Sequence, residues 1–136
     1  MQPTSLVKLA HCLIREQVKS GDIVIDATVG NGHDTLFLLE LIEPAGEVFG
    51  FDIQKAAIDS ALANLRDKPT IESVTLINSS HAEISEKLPL IYHGKIAAVM
   101  FNLGYLPKGD KRIFTQSSST IVALSSAKDV LKTNGI

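Results

Sequence analysis

The chain has 136 residues, 45% of them hydrophobic and 21% charged, which excludes a disordered chain and gives a length prior of one domain. Its formal net charge is −2, which argues against broad non-specific binding to nucleic acid and leaves a local basic patch open. A single cysteine, Cys12, excludes a disulfide framework and a cysteine metal cluster within one chain. No secretory signal or membrane-length apolar run is visible, so a soluble cytoplasmic protein is expected.

Residues 3–18 carry Leu6, Leu9, Ala10, Leu13 and Ile14 at helical spacing, with Thr4 or Ser5 as cap. They predict a leading helix over one face of a sheet, with Cys12 packed in it as a small hydrophobe. Ser20-Gly21-Asp22 stops it. Residues 23–27 read as a buried strand bearing Asp26 at its end, followed by the turn Gly30-Asn31-Gly32. A helix burying Leu36, Leu38, Leu39 and Ile42 follows and ends at Pro44-Ala45-Gly46. A second strand, 47–52, ends on Asp52, and a helix over 54–65 buries Ala57, Ile58, Ala61 and Leu65. Strand 74–77 leads into Asn78-Ser79-Ser80-His81 and a short helix over 82–88. Strand 96–101 is the most apolar run and is expected to be central. The last helix, 117–132, uses Ile121, Leu124 and Leu131, and Asn134-Gly135 is its stop signal. Strands alternating with helices predict an α/β domain, a parallel sheet flanked by helices with right-handed crossovers. The chain stops at Ile136, where a fifth strand should begin, so the C-terminal strands are expected to lie outside this sequence.

In such a sheet the ligand binds beyond the carboxyl ends of the strands. There the first strand delivers Asp26 and the glycine turn, and the second delivers Asp52. The third brings Asn78, Ser80 and His81, and the fourth brings Asn102 and Tyr105. The turn lacks the third glycine of a dinucleotide fingerprint, since Thr35 stands there. Asp26 suits a ligand with a positive charge or an amine, such as the methionine end of S-adenosylmethionine. Asp34, in the first turn of the following helix, favours the positive end of its dipole. Asp52 lies about twenty residues after the turn, from which a carboxylate can take both ribose hydroxyls. It can also cap the helix from Gln54 onward, and Gln54 itself is a candidate for the ribose or the adenine. Asp52 alone suits NAD and S-adenosylmethionine equally.

The loop Asn102-Leu103-Gly104-Tyr105-Leu106-Pro107 is similar to the Asn-Pro-Pro-Tyr type loop of methyltransferases acting on amino groups. With Asp26-Ala27-Thr28-Val29-Gly30-Asn31-Gly32-His33-Asp34-Thr35 and Gly50-Phe51-Asp52-Ile53-Gln54, it resembles the putative rRNA methylase family of bacteria, the YtqB group. The resemblance covers the whole chain. It implies a Rossmann-like class I methyltransferase with S-adenosyl-L-methionine as cofactor and no metal. Members of the MnmM type methylate the aminomethyl group of the tRNA wobble uridine. Cofactor contacts are then expected from Asp26, Thr28, Gly30, Asn31, Gly32 and Asp34, and from Asp52, Gln54, Ser80, His81 and Asn102. Thr28 stands where many methyltransferases have a glycine, as is similar in this family.

The implied chemistry is in-line attack of a nitrogen on the methyl group, with Asn102 and Tyr105 as the catalytic pair. Asn102 accepts hydrogen bonds from the target nitrogen, and Tyr105 stacks on the base or packs under its own loop. His33 or His81 can take the amine proton, or it leaves to solvent; His11 and His93 read as ordinary surface or helix-face residues. Lys108, Lys111 and Arg112 form a basic cluster for RNA or a solvated loop. RNA docking calls on that cluster, on the missing C-terminal part, or on a second subunit in a homodimer. The other readings are an rRNA or small-molecule methyltransferase, a nicotinamide-dependent oxidoreductase, and a non-catalytic methyltransferase-like binding module.

Overall fold

The computed structural model describes residues 5–102 and 117–136. Four strands, β1 (Ile23–Asp26), β2 (Glu47–Asp52), β3 (Val74–Asn78) and β4 (Ile96–Met100), form one parallel sheet in the order β3-β2-β1-β4. Asp26 stands opposite Gly50 on one side and Met100 on the other, and Asp52 stands opposite Asn78. All four carboxyl ends therefore open toward the same edge.

Alternation along each strand sends side chains to two faces. Val24, Val48, Ala98 and Met100 pack with Ile14 and Val18 and with Leu38, Leu39 and Ile42. These last come from α1 (Ser5–Gln17), the chain just after it, and α2 (His33–Ile42). On the other face Ile25, Phe49, Phe51 and Ile96 meet Ile84, Leu88 and Val130, which belong to or adjoin α4 (Ile84–Lys87) and α5 (Ser117–Val130). Between them in sequence, α3 (Lys55–Leu65) packs Ala61 and Leu65 against Val29, beside Leu76. Its buried residues, Ala57, Ile58, Ala61 and Leu65, are the four its spacing predicts.

Two expectations are corrected. In α1 the predicted face is too wide: Ile14 is buried, but Leu6, Leu9 and Leu13 are exposed, as is Cys12. In α5 the buried residues are Ala123, Ser126, Ala127 and Val130, while Ile121 and Leu124 point outward. Small side chains there let α5 approach α4, and the Ser126 hydroxyl accepts the Ser85 N–H at 2.7 Å. β4 closes the order of the four named strands, and it is hydrogen-bonded on both sides. Along its outer edge Ile136 donates to the Ala97 carbonyl at 3.0 Å and accepts the Val99 N–H at 2.9 Å, and Lys132 donates to Ile96. Among the described residues no helix is long and apolar enough to cross a membrane.

Gly46, at the bend from α2 into β2, has no room for a side chain. A Cβ there would collide with the Asp22 carbonyl oxygen and lie 2.6 Å from Ile42 Cβ and 2.8 Å from the Ile42 carbonyl oxygen. Backbone atoms cannot move aside as a flexible side chain can. Gly46→Ala is expected to lower stability by about 3 kcal/mol, read as a reduced urea midpoint at unchanged slope.

Candidate functional site

Asp26 shares its sheet face with Val24, under α2, and has no exposed surface. Its Oδ1 accepts the Thr28 N–H at 3.0 Å and its Oδ2 accepts the Thr35 hydroxyl at 2.7 Å. The sequence reading sets this carboxylate at the lip of the strand, suited to a ligand with a positive charge or an amine; in the structure it is buried and ties the end of β1 to the first helical turn of α2. Burial pushes its pKa up to about 7. The two hydrogen bonds oppose that rise, and the nearby charges of Asp34 and Asp52 add to it.

The turn itself uses its donors internally. The N–H groups of Thr28, Val29, Gly30 and Gly32 go to Asp26, to the Phe51 carbonyl, to Asp52 and to the Val29 carbonyl. Gly30 and Gly32 hold φ of 56° and 92°, the left-handed region that glycine enters at least cost. Gly32 also precedes α2 at a point where an added Cβ would lie 3.1 Å from Ala61 Cβ. Asn31 is held to α3, its side-chain oxygen accepting from the Ser60 hydroxyl at 3.1 Å and its carbonyl from Asn64 Nδ2 at 2.9 Å.

Asp52 is half-buried at the end of β2. Its Oδ2 accepts the Gly30 N–H at 3.0 Å and its Oδ1 accepts the Gln54 N–H at 2.9 Å, so it braces the turn and opens α3 at once. Each oxygen keeps a further lone pair for a hydroxyl. Asn78 does not reach into the site; its amide donates back to the Asp52 and Ile53 carbonyls. Ser80 caps the turn over His81–Glu83, accepting the Ala82 N–H at 3.1 Å.

His81 is buried, with Nδ1 3.3 Å from the Ala27 carbonyl and its ring edge-on to Phe101. A carbonyl only accepts, so Nδ1 carries the proton and Nε2 is the acceptor nitrogen. Burial lowers its pKa from the usual 6.5, against the smaller opposing effects of Ala27 and Asp52. His33 is exposed at the start of α2. Asn102 is exposed just past β4, and its N–H donates to the Thr28 hydroxyl at 2.7 Å, joining the β4 loop to the β1 turn. Its Nδ2 lies 3.5 Å from Asp34 Oδ2. Tyr105 and the cluster of Lys108, Lys111 and Arg112 lie outside the described residues.

Two participants escape the sequence reading. Thr35 registers there only as a missing glycine, yet its hydroxyl satisfies buried Asp26. His11, read as an ordinary helix-face residue, sets Nε2 2.9 Å from Asp34 Oδ1. Nothing local in the sequence announces that contact between two helices.

The family model described as "Putative rRNA methylase" matches residues 48–136. Over 138 residues the chain is 39% identical to a chloroplastic tRNA (mnm(5)s(2)U34)-methyltransferase of Arabidopsis thaliana, covering 95% of this chain and 49% of the plant protein. It is 33% identical over 82 residues to a ribosomal RNA small subunit methyltransferase H of Acinetobacter baumannii, covering 60% of this chain and 26% of that protein. The chain thus spans about half, or less, of these curated relatives. A solved structure of a "putative rRNA-methylase" from Clostridium thermocellum superposes with a TM-score of 0.87 at 44% identity, covering 96% of this chain and 68% of that one. A "putative methyltransferase" from Streptococcus mutans in complex with SAH gives 0.82 at 30% identity, covering 96% and 69%.

The buried Asp26 has a measurable consequence. Unfolding returns it toward 3.8, so between about 4 and 7 the folded protein holds a proton that the unfolded chain has released. Its contribution to stability therefore falls as pH rises through that window and is level above it. At about 1.4 kcal/mol per pH unit the fall is on the order of 4 kcal/mol. Urea unfolding across pH should show this slope in the wild type and its loss in Asp26→Asn.

Proposed function

This chain belongs to the putative rRNA methylase family, and on that premise we propose that it is an S-adenosylmethionine-dependent RNA methyltransferase acting in the cytoplasm. Its parallel sheet and flanking helices are the Rossmann-like methyltransferase fold of the solved relatives. In this reading residues 1–136 make one S-adenosylmethionine-binding domain. The observation that carries it is the turn after β1, braced by the Asp52 carboxylate at Gly30 and lying beside Asp34 at the start of α2. Four of the turn's N–H groups are already occupied. A pyrophosphate needs free N–H donors and suffers from neighbouring carboxylates. A sulfonium with an ammonium group is favoured by the same charges.

When bound, S-adenosylmethionine supplies an electrophilic methyl group. Asp52 would hold the ribose hydroxyls through its remaining lone pairs, and the charge of Asp34 would favour the ammonium. Asp26 holds the turn from beneath rather than touching the ligand. Asn102 Oδ1 accepts an N–H of the target nitrogen and aims its lone pair along the line of attack, the kind of alignment worth up to about 7–11 kcal/mol in ideal cases. Neutral His81 keeps Nε2 free of its own proton. The target we favour is the aminomethyl group of the tRNA wobble uridine, in keeping with the plant relative's name. The bacterial relative's name supports ribosomal RNA as the second reading. A homodimer would give an acidic chain a second surface for RNA.

Calorimetric titration tests the cofactor. S-adenosylmethionine is expected to bind and NAD is not. Asp52→Ala should weaken binding about tenfold to a hundredfold for each charge-assisted bond lost. Undermodified tRNA should then accept a methyl group. Binding of NAD, or an Asp52→Ala variant with unchanged affinity, overturns the reading.

A further inference from the structure

A side-chain amide offers a carbonyl on one side and an NH2 on the other, so Asn102 can receive a target N–H only in one of its two orientations. What stands beside it decides which. Asp34 Oδ2 lies 3.5 Å from Asn102 Nδ2, and an ionised carboxylate only accepts. The reverse orientation would set the amide oxygen against a carboxylate oxygen. Asp34 thus turns Nδ2 toward itself and leaves Oδ1 for the substrate.

Asp34 is in turn held by its other oxygen. His11 Nε2 lies 2.9 Å from Oδ1. The imidazole lies flat on Phe37, ring centres 3.8 Å apart and planes within 5°. The Arg15 guanidinium sits 5.1 Å from the centre of the same Phe37 ring. Both side chains of the pair are largely shielded, 26% exposed for His11 and 12% for Asp34. The Asn102 backbone is meanwhile fixed by the Thr28 hydroxyl at 2.7 Å. The path therefore runs from α1 through the first turn of α2 to the loop after β4, each link a polar contact.

We propose that His11 is a positioning residue for methyl transfer, acting through Asp34 to hold the Asn102 amide with its carbonyl toward the target nitrogen. The proposal rests on the reading of Asn102 as the group that receives that nitrogen. His11 itself touches neither the substrate nor the cofactor.

The test compares His11→Phe with the wild type and with Lys8→Ala, an exposed control on the same helix. Phenylalanine keeps the stack on Phe37 and deletes the N–H donor. At saturating S-adenosylmethionine, KM for undermodified tRNA should stay within about threefold, while kcat falls about tenfold to a hundredfold. The Asn102 side-chain amide signals, assigned through Asn102→Asp, should move in His11→Phe and stay in place in Lys8→Ala. His11→Gln, which restores a donor, should recover part of kcat. His11→Leu deletes the donor with a different shape and should fall with His11→Phe, which keeps the question open to refutation if one variant misfolds. Folded donor-free variants with wild-type kcat and unmoved Asn102 signals overturn the proposal alone. A wild-type chain that neither binds S-adenosylmethionine nor methylates RNA overturns the functional reading, and the proposal with it.

Discussion

The Asp26 carboxylate lies wholly inside the protein, one oxygen on the Thr28 N–H and the other on the Thr35 hydroxyl. Withdrawing a carboxylate from water is costly even when it is hydrogen-bonded, so the geometry around it cannot be loose. Opening the turn would strand those oxygens. The same constraint then spreads outward. Thr28, which gives its N–H to Asp26, offers its hydroxyl to Asn102; Gly30, two residues on, gives its N–H to Asp52. Asp52 in turn receives Gln54 at the start of α3. The carboxyl ends of β1, β2 and β4 are thus joined by side-chain to backbone bonds, and the site is the place where they meet.

The layered architecture was legible because it follows from local patterns. Short continuous apolar runs mark strands covered on both faces, and the spacing of Ala57, Ile58, Ala61 and Leu65 marks a helix face, neither needing knowledge of distant residues. The outer helices were not legible in the same way. In α1 Leu6 and Leu9 face outward although Ile14 is buried, and in α5 Ile121 and Leu124 face outward while the smaller Ala123 and Ala127 face the protein. Periodicity finds an apolar face, but the width of the gap between elements decides whether large or small residues fill it. The burial of β4 was legible, since an apolar strand records that both faces are covered, whereas strand order depends on which edges pair.

The placing of Asp52 and the glycine turn at the carboxyl edge of the sheet was readable because strand ends and turn chemistry are local facts. Asp26 was readable as a special residue at the right place, and its direction was not, since that depends on Thr35 standing on the far side of the turn to receive it. His11 lay beyond reach altogether. It meets Asp34 from 23 positions away, across two helices whose packing is set by the sheet beneath them. Contacts of that kind belong to the tertiary structure.

The filled hydrogen bonds of the turn bear on how any ligand is received. A loop whose N–H groups pointed into solvent would have to freeze around its guest, and the entropy of that ordering would be charged against affinity. Here the ordering is completed during folding, because the protein's own carboxylates and carbonyls hold the turn in shape. The binding surface is preorganised: a guest meets a contour already set, and differences among guests are felt as fit and charge rather than as the work of rearranging the loop.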